Sequence, residues 1–136
     1  MFSANKRGVE MGFKERLETE VYEYATANHL SVETIDFLYG GPTMRTRHTL
    51  VLGFTNAGLF TFLFKLGEAE MHYLAKEKLR QIKLHPKKMV YELTITGVDE
   101  EGQAEEARYL VSKRVLGRKW HRKTLQKLIG KDGQAW

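Results

Sequence analysis

Two kinds of side chain in this sequence are equipped for chemistry, the imidazoles and the cations. The five histidines are His29, His48, His72, His85 and His121. A helical zinc motif needs two of them one turn apart with a carboxylate beside them, and no pair here has that spacing. His48 and His72 both fall on predicted strands, where they read as exposed or half-exposed side chains. The cations are more sharply placed. Residues 113–131 contain Lys113, Arg114, Arg118, Lys119, Arg122, Lys123, Lys127 and Lys131 and no acid. On the helix expected there, His121, Arg122, Lys123, Gln126 and Lys127 lie opposite an apolar stripe and face water. Such a face suits an anionic partner. Contacts to nucleic-acid phosphates would each add salt dependence. An anionic bilayer would attract each cation by about 1 kcal/mol. Aromatic residues for stacking bases are not interleaved with these cations, and Trp120 is assigned to the core. The sequence shows no apolar wedge that would strengthen membrane attachment.

The carboxylates make a weaker case. Asp99, Glu100, Glu101, Glu105 and Glu106 crowd one polar stretch, and exposed carboxylates are poor general acids at neutral pH. There is no Gly-x-Ser-x-Gly, no phosphate-loop pattern and no dinucleotide glycine fingerprint. With no cysteine, disulfides, thiolate metal sites and a thiol nucleophile are excluded. The expectation is a protein that is not an enzyme and carries no cofactor and no metal. A cysteine-free chain also fits a reducing cytoplasm.

The elements that must position these residues are legible from periodicity. The central stretch is residues 47–64. Thr55-Asn56-Ala57-Gly58 reads as a turn between two apolar runs, with Gly58 in a left-handed conformation closing a three-residue loop. Pairing outward sets Phe54 against Phe60, Leu52 against Phe62 and Leu50 against Phe64. Because side chains alternate along a strand, these six would share one face, with Thr49, Val51, Gly53, Thr61 and Leu63 on the other.

The rest follows in chain order. Residues 1–10 read as a disordered or non-native start, with Met11 as the alternative initiator. Residues 11–30 hold a helix whose stripe is Phe13, Leu17, Val21 and Tyr24, ended by Asn28 and His29. Short strands are expected over 31–39, 45–54, 59–66 and 71–74, and another beginning near Arg80. Met89, Tyr91, Leu93 and Ile95 alternate as a strand with one buried face. After the acidic stretch a last strand pairs back, with Tyr109 and Val111 on one face and Arg108, Leu110 and Ser112 on the other. In the final helix Trp120, Thr124, Leu125, Leu128 and Ile129 form the apolar stripe, and Gly130 caps its end. The fold class is mainly β with α. It is a strongly bent antiparallel sheet or partly open barrel of about seven strands, plugged by the C-terminal amphipathic helix, with an extra N-terminal helix.

At 136 residues the chain is sized for one domain, with 42% hydrophobic and 29% charged residues. No apolar run reaches about 18 residues, so no transmembrane segment is expected. The net charge is +5 and the isoelectric point about 9.4.

The turn Leu52-Gly53-Phe54-Thr55-Asn56-Ala57-Gly58-Leu59-Phe60, the meander spacing and the single C-terminal helix resemble bacterial pleckstrin-homology-like domains over residues 31–131. The resemblance implies a binding scaffold for lipid, peptide or protein, often self-assembling. Family members that bind phosphoinositides carry a basic residue late in strand one and an Arg-x-Arg-like pair in strand two. Arg45 and Arg47 match the second feature; the first strand carries Glu33 and Asp36 in place of the first. The expected function is therefore a non-enzymatic interaction module acting on a protein partner or on a second copy. The alternative is an anionic ligand, lipid headgroup or nucleic acid, held by Arg45, Arg47, Arg118, Lys119, Arg122, Lys123 and Lys127.

Overall fold

The computed structural model describes residues 12–65 and 68–131. The expectations for residues 1–10, for Met11 and for the turn at Gly67 lie outside them. The chain divides into two compact units, Met1–Val32 and Glu33–Trp136.

In the first unit, helix α1 spans Phe13–Ala27. Leu17, Val21 and Ala25 recur every four residues and are buried, which gives the helix one apolar stripe. Tyr24 and Phe13, expected on that stripe, are only half-buried. Asn28 ends the helix by returning its side-chain amide and its backbone N–H to the Tyr24 carbonyl. His29 follows with φ 57°, in the left-handed region.

The second unit is mainly β. Among its described residues seven strands form two antiparallel sheets, not closed into a barrel, of orders β1-β2-β3-β4 and β5-β6-β7. The first sheet comprises β1 (Ile35–Gly40), β2 (Leu50–Thr55), β3 (Gly58–Lys65) and β4 (Glu68–Ala75). The second comprises β5 (Leu79–Pro86), β6 (Val90–Val98) and β7 (Ala104–Ser112). A 3₁₀ turn, Lys76–Lys78, joins the sheets. The strand expected to begin near Arg80 therefore starts at Leu79, directly after this one helical turn. The sheets also touch where Gly41 exchanges both backbone hydrogen bonds with Leu110. Helix α2 (Lys119–Gly130) lies against β1 and β5. Leu125 and Leu128 from α2 join one core with Leu38, Leu52 and Phe54 from the first sheet and Leu93, Ile95 and Val111 from the second. Each such side chain contributes roughly 1.5–3 kcal/mol by leaving water.

The register of the central hairpin differs from the sequence expectation by one residue. Thr55 pairs with Gly58, and Phe54 faces Leu59, Gly53 faces Phe60, Leu52 faces Thr61 and Val51 faces Phe62. The cause is Thr55. Its hydroxyl accepts from the N–H groups of Ala57 and Gly58 and donates to the Gly58 carbonyl, which closes a two-residue turn. Gly58 is at φ 147°, and a Cβ there would stand 2.3 Å from the Leu74 carbonyl oxygen. A one-residue slip moves every side chain to the other face. Leu50, Leu52, Phe54, Leu59 and Leu63 therefore point into the core described above. Phe60 and Phe62 share the opposite face with Val51 and Gly53, and that face is buried too.

Four other expectations need correcting. Met89, expected on the buried face of a strand, lies in the connection before β6 and is exposed, because the strand starts only where Val90 pairs with Ser112. Ile129, expected on the apolar stripe of α2, is exposed beside the buried Leu125 and Leu128. The second strand begins at Leu50, so Arg45 and Arg47 lie in the connection before it. Gly130 is the last helical residue rather than the cap. Lys131 takes the cap position at φ −110°.

Candidate functional site

β7 ends at Ser112, and three connections meet on that residue. The β1–β2 connection, residues 42–49, reaches it from one side. Arg47 Nε donates to Ser112 Oγ at 2.8 Å, and His48 Nε2 stands 2.8 Å from the same oxygen. The β5–β6 connection, residues 87–89, abuts it because Val90 pairs directly with Ser112 and the Lys87 N–H closes onto the Val90 carbonyl. The β7–α2 connection, residues 113–118, leaves from it. The geometry at Gly41 brings the first connection in. A Cβ on Gly41 would lie 1.7 Å from the Thr46 carbonyl oxygen, so only glycine lets the chain fold back this closely. Thr43 and Thr46 then bond each other through their hydroxyls at 2.6 Å, and the Arg47 guanidinium also reaches the Met44 carbonyl.

His121 holds the helix to this end. It was expected on the exposed face of α2, yet it is fully buried. Its Nδ1 accepts the Tyr39 N–H at 3.0 Å, and its Nε2 donates to the Ser112 carbonyl at 2.7 Å. A backbone N–H can only donate, so Nδ1 carries no proton and the ring is neutral. Burial pushes its pKa down and the nearby His48 adds to this, against the Ser112 carbonyl bond, which raises it. Tyr39 stacks on Trp120 with ring centroids 5.2 Å apart and lies 5.5 Å from His48. The cause of the misreading is the pattern itself. A histidine next to Arg122 and Lys123 looks polar, and only the fold supplies the two backbone groups it satisfies.

The remaining histidines are dispersed. His48 precedes the second strand, and His72 sits on β4 with Thr61 opposite and Glu70 at 2.8 Å, so the two are not sheet neighbours. Among the described residues, no three His, Asp or Glu side chains are grouped to hold a metal ion. Ser112 and His48 form a hydroxyl–imidazole pair, and burial followed by the Arg47 charge lowers the His48 pKa. However, Ser112 is itself buried, and no described carboxylate hydrogen-bonds the His48 ring to orient it as a base.

The seven expected anion-binding cations are divided by the structure. Arg45 and Arg47 share the first connection, and Arg118 ends the third. Lys119, Arg122 and Lys123 are exposed on α2, and none of these three has an ion-pair partner among the described residues. Lys127 is turned elsewhere, bound to Asp36 of β1 at 2.9 Å. Four cations missing from that set sit at the same end. These are Lys87, Lys88, Lys113 and Arg114, of which Lys87 stands 3.6 Å from Glu92 and Lys113 lies over the Tyr91 ring. Their signal was the absence of any acid in residues 42–49, 87–89 and 113–118.

The acidic residues lie apart, around the β6–β7 turn. Asp99 accepts the N–H groups of Glu101 and Gln103 and so shapes the turn itself. A cleft of about 420 Å³ is lined by Leu59, Leu74, Ile95, Ala107 and Tyr109, with Glu105 and Glu106 beside them.

The fold and this end together define a mainly β unit with a C-terminal helix and a basic cluster of connections. Comparison with protein-family models, with curated proteins and with solved structures gives no match.

Proposed function

We propose that this chain is a non-enzymatic binding module of pleckstrin-homology-like build that recognises an anionic partner through its basic end. The build is supported by the order of elements, four antiparallel strands, then three, then one helix against β1 and β5. The binding reading rests on one observation. The three connections that meet at Ser112 carry Arg45, Arg47, Lys87, Lys88, Lys113, Arg114 and Arg118 and no carboxylate. Lys119 continues the cluster onto the first turn of α2, where cations oppose the helix dipole at about 0.3–1 kcal/mol each. An anion at this end would relieve that repulsion. The proposal places the module in the cytoplasm, which the cysteine-free composition suits.

Self-assembly or protein recognition through strand edges is the second reading. β4 and β5 are sheet edges. β4 presents Glu68, Glu70 and His72 to solvent, and β5 presents Arg80 and Lys83. Charges on edge strands oppose pairing with another chain, which favours the first reading.

Retention on immobilised heparin tests the proposal. The protein should bind at low salt and elute as salt rises, and the combined variant Lys88→Glu, Arg114→Glu, Lys119→Glu should pass through unretained. Passage of the unaltered protein in the void volume at low salt would sink the reading. Light scattering on the same samples separates a monomer from an assembly.

A further inference from the structure

Each of the three basic connections also carries one large apolar side chain pointing into solvent. Met44 is 40% exposed, Met89 is 70% exposed and Leu116 is 96% exposed. Met44 stands beside Arg45 and close to Arg47. Met89 follows Lys87 and Lys88. Leu116 lies between Lys113-Arg114 and Arg118-Lys119. The wedge that the sequence did not reveal is thus divided among three segments far apart in the chain and assembled by the fold.

We infer that this end docks on an anionic bilayer surface, with Met44, Met89 and Leu116 inserted below the headgroups and the surrounding cations on the lipid phosphates. This rests on the anionic-partner reading above and names the partner. The chemistry of the end separates a bilayer from other anions. Unbranched and aliphatic side chains gain by entering an acyl layer, while adjacent cations stay at the headgroup level. Single-stranded nucleic acid would call for aromatic rings to stack on bases, and a duplex held through its phosphates would use the cations and leave three exposed apolar tips without a role. Of the nearby rings, Tyr39 and Trp120 are stacked on each other and Tyr91 is covered by Lys113. A protein partner would call for a contiguous apolar patch with charges at its rim. Here each apolar tip comes from a different connection and is flanked in the chain by cations. The frame is also rigid enough to present them together. Arg47 and His48 fasten the first connection to Ser112, Val90 sets the second beside it, and His121 ties the start of α2 to the same residue.

The test is flotation of the full chain with vesicles of phosphatidylcholine alone and of phosphatidylcholine with phosphatidylserine. Binding should require phosphatidylserine and weaken as salt rises. The combined variant Met44→Ser, Met89→Ser, Leu116→Ser changes exposed positions only. It should keep its retention on heparin and lose at least tenfold in vesicle partition. Lys88→Glu, Arg114→Glu and Lys119→Glu should each reduce partition about fivefold or more, as expected for about 1 kcal/mol per cation. Three results would overturn the inference: equal binding to both vesicle types, no binding to either, or full vesicle binding by the serine variant. If heparin or a DNA duplex is bound while vesicles are not, the anionic-partner reading survives and the bilayer does not. If none is bound, both fall.

Discussion

Replacing His121 by leucine keeps much of the side-chain volume and removes both ring nitrogens. Two buried backbone groups then lose their partner, the Tyr39 N–H at 3.0 Å and the Ser112 carbonyl at 2.7 Å. Leaving a buried polar group unsatisfied costs about 1–3 kcal/mol. His121→Leu should therefore destabilise the protein by about 2–6 kcal/mol, the lower end applying if water reaches either group. His121→Gln restores a donor toward Ser112 and should recover about half. Urea unfolding measures both, as a lower midpoint at an unchanged slope. The same residue sets a pH dependence. Its folded pKa lies below the ordinary value of 6.5, so the unfolded chain binds the proton more readily. Stability is then full above about pH 6.5 and falls as pH drops toward the folded pKa, by at most about 1.4 kcal/mol per pH unit for one proton. His48 is shifted in the same direction, so His48→Ala serves as the control. A leucine variant less than about 1 kcal/mol below wild type, or one whose stability declines with acid as steeply as the wild type's, would refute the role given to His121.

Two glycines with positive φ should respond very differently to alanine. Gly102, at φ 80° with open space around it, should lose only about 1 kcal/mol. Gly58, facing the Leu74 carbonyl, should lose several times as much in a thermal melt. Thr55→Val retains shape but removes the hydroxyl that closes the hairpin, so a loss of about 1–3 kcal/mol is expected. Because the hydroxyl also sets the register, cross-strand NOEs in this variant should show Phe54 partly opposite Phe60. Lys127→Ala breaks an exposed pair with Asp36 and should cost under about 1 kcal/mol, with vesicle partition unchanged.

Strand and helix order was readable because alternation and helical spacing are local properties, and Tyr91 to Val111 shows this well. Leu93, Ile95 and Val111 are buried where the alternation put them. Hairpin register was not readable, because Thr55-Asn56-Ala57-Gly58 suits both a two-residue and a three-residue loop and a single hydroxyl decides between them. The basic block of α2 was visible as a run in sequence. The larger cluster was hidden, since Arg47, Lys88 and Arg114 become neighbours only when β6 and β7 place Val90 beside Ser112. Met44 and Leu116 gave no signal for a related reason, and Met89 gave a misleading one by continuing the alternation of the strand that follows it. A lone apolar residue in a loop is ordinary, and three gain meaning only by sharing one end.

The node at Ser112 divides the labour of this end between fixed and exchangeable positions. Gly41, Arg47, Ser112 and His121 are committed to backbone approach or to hydrogen bonds within the fold, while the three apolar tips are exposed side chains. The tips can thus be exchanged without disturbing the frame, much as antibody loops vary on a constant framework. Since the chain has no cysteine of its own, a single cysteine at 44, 89 or 116 would accept one environment-sensitive dye. Three such proteins would report, loop by loop, how deeply each tip is immersed in whatever the end touches.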